Sequence, residues 1–328
     1  MFKSNIFKFI ILLTVFLVGV ILSLAIGGSQ SFNLLDAETN NFIFWQIRFP
    51  KTITAILAGS TLSIAGLILQ LMFRNPLAGP YVLGISSGAS LFVAITFLAS
   101  NSFNLFSNYF FGKSVVVISS IFGSLIITFL ILVLSKKINN NVILLLIGLM
   151  LSQICGALQG FLEYFANPNS LKAFVIWGMG SLGGTTNLDL LIYFPVALIS
   201  LTAIFFYIKP LTAFLLGQNY AINSGINYSK SRFYLILIAS ILTGVTTAFC
   251  GPVAFVGISV PILSRIVFKT SNQKTHLISC MLIGSSILLF SDVLCHNLSK
   301  TAILPINMIT TFVGAPLVIY LLFKNKQW

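Results

Sequence analysis

The sequence predicts an all-α integral membrane protein with about ten transmembrane helices. Hydrophobic residues fill 57% of its 328 positions and charged residues only 7%. The surface of a water-soluble domain needs several times this charge density. The chain divides into apolar runs, most of them long enough to cross a hydrocarbon core of about 30 Å as a helix. Basic residues are concentrated in alternate connections between these runs, which is typical of a multi-pass membrane protein.

Hydropathy along the chain predicts ten apolar spans. The first, 9–27, is longer than the apolar core of a signal peptide, which favours a retained helix over a cleaved leader. The second, 52–73, contains no charged residue. The others lie near 82–99, 115–135, 142–165, 188–208, 233–250, 252–268, 276–298 and 304–323. The span at 252–268 is the least well defined of the ten, because Pro252 and Pro261 break it.

The distribution of charge predicts that both termini lie in the cytoplasm. This orientation puts thirteen of the eighteen basic residues on the cytoplasmic side. It puts four acids on the outer side, and Asp292 towards the outer end of its span. The net charge of +13 is therefore mainly a topology signal, and it does not indicate nucleic-acid binding.

The composition excludes most enzymatic functions. Five acids and two histidines lack the spacing of metal ligands or of an acid–base pair, so we expect no catalytic residues, metal or cofactor. The string from Gly178 to Gly183 spells G-x-G-x-x-G, but it lacks the strand and the acid of a dinucleotide site. No linker divides the chain, so residues 1–328 are predicted to form one transmembrane domain.

Small and weakly polar residues recur on one face of the second span. They are Ala55, Gly59, Ser63, Gly66 and Gln70. Such a stripe lets a neighbouring helix approach closely inside lipid, and on its own it indicates ordinary helix packing.

The stretch from Arg48 to Leu91, taken as a whole, resembles the FecCD-type permeases of ABC importers for iron–siderophore complexes, haem and vitamin B12. That family has an R-x-P-[RK] motif, small residues and a glutamine along the helix, and then N-P-L-A-x-P-x-x-L-G-x-S-x-G-A. The matching residues are Arg48, Pro50, Lys51, Gly59, Gly66, Gln70, Asn75-Pro76-Leu77-Ala78, Pro80, Leu83-Gly84, Ser86 and Gly88-Ala89.

Three later regions extend the resemblance to about residues 46–322. They are similar to the family's L-G-E-x-x-A-x-x-x-G element, its G-x-I-x-F-V-G-L-x-x-P-H block and its D…E-x-P-x-G…G-A-P ending, and they lie at 216–225, 251–262 and 292–316. The chain departs from the family at Gln218 for Glu, Ile262 for His, His296 for Arg, Ile303 for Glu and Asn307 for Gly. These departures put individual polar contacts in doubt, but not the fold.

The fifth span has a polar stripe: Gly148, Ser152, Cys155, Gly156, Gln159 and Glu163. Small-residue packing would explain part of it. Gln159 and Glu163 cannot pack as small residues and prefer water, which favours the wall of a transport path.

The resemblance implies a type II ABC importer permease in the bacterial cytoplasmic membrane. It implies a homodimer that works with two separate ATPase subunits and an extracytoplasmic substrate-binding protein, and that performs no chemistry itself. The expected cargo is an iron(III)–siderophore chelate, with haem or vitamin B12 as the alternative. An ion-coupled secondary transporter is a less favoured reading, because it needs ionisable residues at mid-membrane depth.

The resemblance also assigns roles to residues of this chain. It implies docking of the binding protein at Arg48 and Lys51, which we expect to share an outward-facing first helical turn. It implies an ATPase coupling loop at Gly217, Gln218, Ala221 and Gly225. It implies a translocation path along Ser152, Gln159 and Glu163, and a cytoplasmic gate at Asn141 and Val142.

Overall fold

A computed structural model of the protein describes residues 2–26, 41–99, 109–135, 141–298 and 304–324, and over these residues all regular secondary structure is helical. In chain order the helices are α1 (Phe2–Ala25), α2 (Phe49–Phe73), α3 (Ile85–Ala99), α4 (Tyr109–Ser135), α5 (Asn141–Phe165), α6 (Pro168–Gly178), α7 (Asn187–Ala203), α8 (Ile208–Leu216), α9 (Gln218–Asn223), α10 (Tyr228–Cys250), α11 (Val256–Phe268), α12 (Gln273–Asn297) and α13 (Ile306–Lys324). A π turn, Phe44–Arg48, leads into α2, and a 3₁₀ turn, Ile204–Tyr207, joins α7 to α8.

The predicted all-α fold with about ten spans is confirmed for the described residues. Seven continuous helical segments are long and apolar enough to cross a membrane, and three shorter apolar helices accompany them. Each of the ten coincides with one predicted span. The span with the two prolines forms a helix: α11 has 13 residues and keeps Pro261 inside it.

The second span begins earlier than the charge pattern predicted. Helix runs without a break from Asn41 to Phe73, so Arg48 and Lys51 lie inside it and not before it. The π turn makes this possible, because a proline within a helix removes one hydrogen bond and crowds the preceding turn. There the N–H of Phe49 donates to the carbonyl of Phe44, and this wider turn precedes Pro50.

Helix α2 is the core of the protein. In its most apolar stretch 89% of the residues are buried, against 11% in α1. It packs against α12, α10 and α11, and more lightly against α7 and α8. A spanning helix that is enclosed by other helices on most sides must bring their backbones close, which requires small side chains.

The predicted small-residue stripe on α2 forms these close contacts. A Cβ atom on Gly59 would overlap the backbone of Gly284 in α12, and one on Gly66 would overlap the carbonyl of Gly257 in α11. One turn beyond Gly66, the Nε2 of Gln70 donates to the carbonyl of Ile258 at 3.0 Å. The stripe is therefore confirmed as a packing surface.

Where α2 and its neighbours are too far apart for backbone contact, hydrogen bonds between side-chain hydroxyl groups join them. Thr61 and Thr246 of α10 pair through their Oγ1 atoms at 2.7 Å, and the hydroxyl of Tyr193 in α7 lies 3.0 Å from the same Thr246 atom. Ser60 and Ser285 of α12 pair at 2.8 Å. Such buried bonds between helices contribute roughly 0.6 kcal/mol each in a membrane, so they set register more than they add stability.

A methyl group added at Gly66 should destabilise the protein. The Cβ of Gly66→Ala would meet backbone atoms, which cannot rotate aside. We expect an overpacking cost of about 1–3 kcal/mol, seen as a lower melting temperature of the detergent-purified protein. Gly178→Ala is the matched control, because nothing lies within 4 Å of its added Cβ. Equal melting temperatures for the two variants would contradict the close approach of α2 and α11.

Candidate functional site

Two short helices, α8 and α9, form a compact surface element between α7 and α10. Gly217 separates them with φ +116° and ψ 167°, a conformation that residues with a Cβ rarely adopt. Ala221 is fully buried, and its N–H donates to the carbonyl of Gly217 at 3.0 Å. Gly225 also has a positive φ, +76°, where the chain leaves α9. The segment predicted to be the ATPase coupling loop therefore consists of two short helices. Its role in coupling stays a prediction.

The exposed side of this α8–α9 element carries several large apolar side chains among polar ones. Leu215, Leu216, Tyr220 and Ile222 are all exposed, and so is Gln218. The inner side is anchored, because α8 packs against α2 and α12. An exposed apolar surface on a firmly held element is typical of a protein interface.

Lys51 and Asp292 form an ion pair inside the protein. The Nζ of Lys51 lies 2.8 Å from Oδ2 of Asp292, and the two side chains are 2% and 3% exposed. Ser23 of α1 donates to the same Oδ2 at 3.2 Å, and its Oγ lies 3.0 Å from Oγ1 of Thr52. The Nδ1 of His296 donates to the carbonyl of Asp292 at 2.8 Å and lies 3.5 Å from Oδ1. The network joins α1, α2 and α12.

The expectation that Arg48 and Lys51 face outward is wrong for this structure. Arg48 is only 4% exposed, and its Nη1 donates to the carbonyl of Leu24 at 3.2 Å. Lys51 is 1% exposed and also donates to the carbonyl of Ile26, at 3.3 Å. The cause is the early start of the helix, which places both residues beside α1. Their docking role stays a prediction, without the exposed pair on which it depended.

Sequence reasoning did not find the partner of Asp292, although a signal was present. Asp292 is a carboxylate that the sequence places inside a span, towards its outer end, and a buried carboxylate needs a cation nearby. Lys51 was expected at the same outer level of the membrane. Its assignment to the surface kept the two residues apart.

Part of the polar stripe of α5 faces α3 within the same chain, whereas Gly156 of that stripe is exposed. Ser152 and Ser87 pair through their hydroxyl oxygens at 2.5 Å, and the Nε2 of Gln159 donates to the carbonyl of Ser87 at 3.3 Å. Gly148 packs against the backbone of Leu83, while Glu163 is only half-buried. The path assignment for Ser152, Gln159 and Glu163 stays a prediction. The gate residues Asn141 and Val142 begin α5, and their side chains lie outside the part of the chain that the structure describes.

The other side of α5 is exposed along much of its length. Nothing lies within 4 Å of a Cβ added at Gly156 or Gly160. The two glycines are four residues apart, and the helix continues into the exposed side chains of Phe161 and Tyr164. A Gly-xxx-Gly pair that faces away from its own chain is a surface on which another helix can pack closely.

The G-x-G-x-x-G string is a structural turn. Gly180 has φ +79°, and its carbonyl accepts from the N–H of Ile306 at 3.2 Å. Ser181 donates its N–H to the carbonyl of Cys250 at 3.0 Å, and the indole of Trp177 donates to the carbonyl of Ala248 at 3.1 Å. These bonds attach the end of α6 to α10 and α13. Among the described residues, no group of three or more His, Cys, Asp or Glu is arranged to hold a metal ion.

The sequence and the fold are both similar to those of known transport permeases. Residues 9–324 match the FecCD transport family. The chain is 32% identical to the vitamin B12 import system permease protein BtuC of Klebsiella pneumoniae subsp. pneumoniae, over 89% of this chain and 85% of the relative. It is 31% identical to the hemin transport system permease protein HmuU of Yersinia pestis, over 95% of each chain. A solved inward-facing structure assigned to a metal-chelate type ABC transporter superposes with a TM-score of 0.82 at 27% identity, covering 95% of this chain and 97% of the other.

Loss of Lys51 should destabilise the protein more than loss of an exposed lysine. Lys51→Met would leave the charge of Asp292 buried without its cation, which costs about 3–5 kcal/mol. The double variant Lys51→Met/Asp292→Leu should recover much of this loss. Melting of the detergent-purified protein measures both effects, with exposed Lys172→Met as the control. Equal melting temperatures for Lys51→Met and Lys172→Met would refute the ion pair.

Proposed function

Because the chain belongs to the FecCD transport family and has the fold of the type II ABC importer permeases, we propose that it moves an iron(III)–siderophore chelate across the bacterial cytoplasmic membrane. The observation that carries this proposal is the similarity, over nearly the whole chain, to a transporter of the metal-chelate type. Haem or vitamin B12 is the second candidate cargo. It is supported by the relatives BtuC and HmuU, which are permeases of vitamin B12 import and hemin transport systems.

We propose that the working permease is a homodimer. The exposed face of α5, with Gly156 and Gly160, supports this assembly, because it offers a second copy a surface for close helix packing. The translocation path would then run between the two copies beside α5. Glu163 near the end of α5 would meet the water at its outer mouth.

The orientation that we propose places both termini in the cytoplasm, as the basic residues predict. The α8–α9 element then faces the cytoplasm, and each copy would seat this element on one separate ATPase subunit. Its exposed apolar side chains support that docking. Since α8 packs directly against α2, a movement of the ATPase would reach the core of the permease without a flexible connection.

The substrate-binding protein would dock on the opposite, outer surface. Arg48 and Lys51 are buried in one chain, so we propose that they support this surface from beneath. The Lys51–Asp292 pair would hold α1, α2 and α12 in register where the partner binds. The chain itself would perform no chemistry in this cycle.

Reconstitution tests the function directly. The permease is purified together with its ATPase and binding protein and placed in liposomes, and ATP-dependent uptake is measured for ferric siderophores, haem and cobalamin. We expect uptake of a ferric siderophore and stimulation of ATP hydrolysis by the loaded binding protein. Uptake of haem or cobalamin, without uptake of a ferric siderophore, would show that the alternative cargo is the right one. Uptake driven by an ion gradient without ATP would overturn the proposal.

Gly217→Val should uncouple transport from ATP hydrolysis. A β-branched residue cannot adopt φ +116° without strain, so the angle between α8 and α9 would change. The distortion costs about 1–2 kcal/mol, so we expect uptake to fall about tenfold, while the amount of protein in the membrane is unchanged. Gly183→Val is the control, because that glycine has no positive φ and open surroundings. Normal uptake by Gly217→Val would argue against the coupling role.

Cysteine labelling tests the path along α5. In a background without Cys155, Cys250, Cys280 and Cys295, single cysteines replace Ser152, Gln159 or Glu163. We expect small polar thiol reagents to label these positions, at rates that change when ATP is trapped. Cysteines at Leu151 and Leu158 should be protected by lipid or protein. Equal labelling on both faces would remove the path from this helix.

A further inference from the structure

A cavity of about 320 Å³, lined by several polar and charged residues, lies where α11 ends and α12 begins. Its lining includes Arg265 and Lys269 from the end of α11, and Gln273 and His276 from the first turn of α12. Leu215 of α8 forms an apolar part of its wall. The cavity is in the size range of small-ligand sites. It borders the α8–α9 element at Leu215, and its charged residues have no role in the proposed transport cycle.

The charge around this cavity favours an anion. Arg265 lies in the last turn of α11 and Lys269 follows the helix directly, so both cations line the cavity from one end of α11. The positive end of the 25-residue helix α12 points to the same place. No carboxylate of the described ranges contributes to the lining. A phosphate group is the anion that such a combination of cations and a helix start binds most readily.

Gln273 favours a ligand that also carries a hydrogen-bond donor. Its side chain is only 2% exposed, its Nε2 donates to the carbonyl of Ser271 at 3.3 Å, and its Oε1 has no hydrogen-bond partner. A buried acceptor without a partner costs free energy, so a ligand that brings a donor is favoured. His276 does not supply that donor. Its Nδ1 lies 2.8 Å from Oγ of Ser264, and its Nε2 donates to the carbonyl of Thr270 at 2.6 Å.

We propose that this cavity binds the headgroup of an anionic glycerophospholipid of the phosphatidylglycerol type. The phosphate would lie against Arg265 and Lys269, and a glycerol hydroxyl would donate to Oε1 of Gln273. An acidic side chain from a partner protein fits less well, because a carboxylate brings acceptors only and leaves Oε1 unpaired. The inference goes beyond the proposed function and does not depend on the cargo.

The position of the cavity favours a lipid over a soluble phosphate ester. It lies at the ends of two membrane helices, the level at which basic pockets bind lipid headgroups. Helix α1 passes beside the end of α11: the Nζ of Lys8 donates to the carbonyl of Val267 at 2.8 Å, and the rings of Phe9 and Phe268 are 4.6 Å apart. Most of α1 is exposed and apolar, so the acyl chains would have a surface to lie along.

Native mass spectrometry of the full-length permease tests the site with three lipids: phosphatidylglycerol, phosphatidic acid and phosphatidylcholine. Lys269→Gln removes an exposed cation and should weaken both anionic lipids about fivefold, without changing phosphatidylcholine. Lys230→Gln removes an exposed lysine elsewhere and should change none of them. Gln273→Leu should weaken phosphatidylglycerol several-fold and phosphatidic acid less, because phosphatidic acid lacks the headgroup glycerol and its hydroxyls.

Three results would overturn the proposal. Equal losses in Lys269→Gln and Lys230→Gln would mean a general attraction of charge. Displacement of the lipid by equimolar soluble glycerol 3-phosphate would mean that the site takes a free phosphate ester. Loss of bound phosphatidylglycerol when the ATPase subunit is added would mean that a protein group occupies the cavity. Transport activity plays no part in these measurements, so failure of the proposed cargo leaves them interpretable.

Discussion

Contact between the backbones of α2 and its neighbours is the constraint on which the rest of the structure depends. Gly59 meets Gly284, and Gly66 meets Gly257, with no room for a side chain between the helices. In a membrane there is little hydrophobic gain from bringing two apolar helices together, so close packing supplies the attraction. Once α2 is held in this way, the residues at both of its ends have defined positions.

The two ends of α2 serve different surfaces of the protein. At one end Lys51 reaches Asp292 and so joins α1 and α12 to the core. At the other, Arg74 follows the helix in a left-handed conformation with φ 47°, and a Cβ on Gly217 would lie 3.3 Å from its guanidinium. Twenty-five residues at about 1.5 Å each make α2 a rod of about 37 Å, the thickness of a membrane core and part of its interface. The α8–α9 element and the buried ion pair are therefore attached to one rigid helix.

Hydropathy predicted the spans well because lipid requires long, uncharged helices, and the stripe on α2 was readable because helical periodicity places its members on one face. The burial of Lys51 could not be predicted from the sequence. A lysine near a helix end is ordinarily a surface residue, and its burial follows from the π turn and from the placement of α1, which are tertiary features. Likewise, a polar stripe such as that of α5 does not reveal which neighbour it faces. Ser152 and Gln159 met Ser87 of the same chain.

Because backbone contacts hold α2 against α11 and α12, we expect these helices to move as one body in the proposed transport cycle. Distances between spin labels in the reconstituted complex test it most directly. One pair of labels joins Leu77, just after α2, to Ile278 on α12, and a second measurement uses Tyr164 of α5 in the two copies. When ATP is trapped, the distance from Leu77 to Ile278 within a chain should stay unchanged. The distance between the Tyr164 positions of the proposed dimer should change. A shift within the α2–α12 pair as large as that between the copies would contradict this expectation.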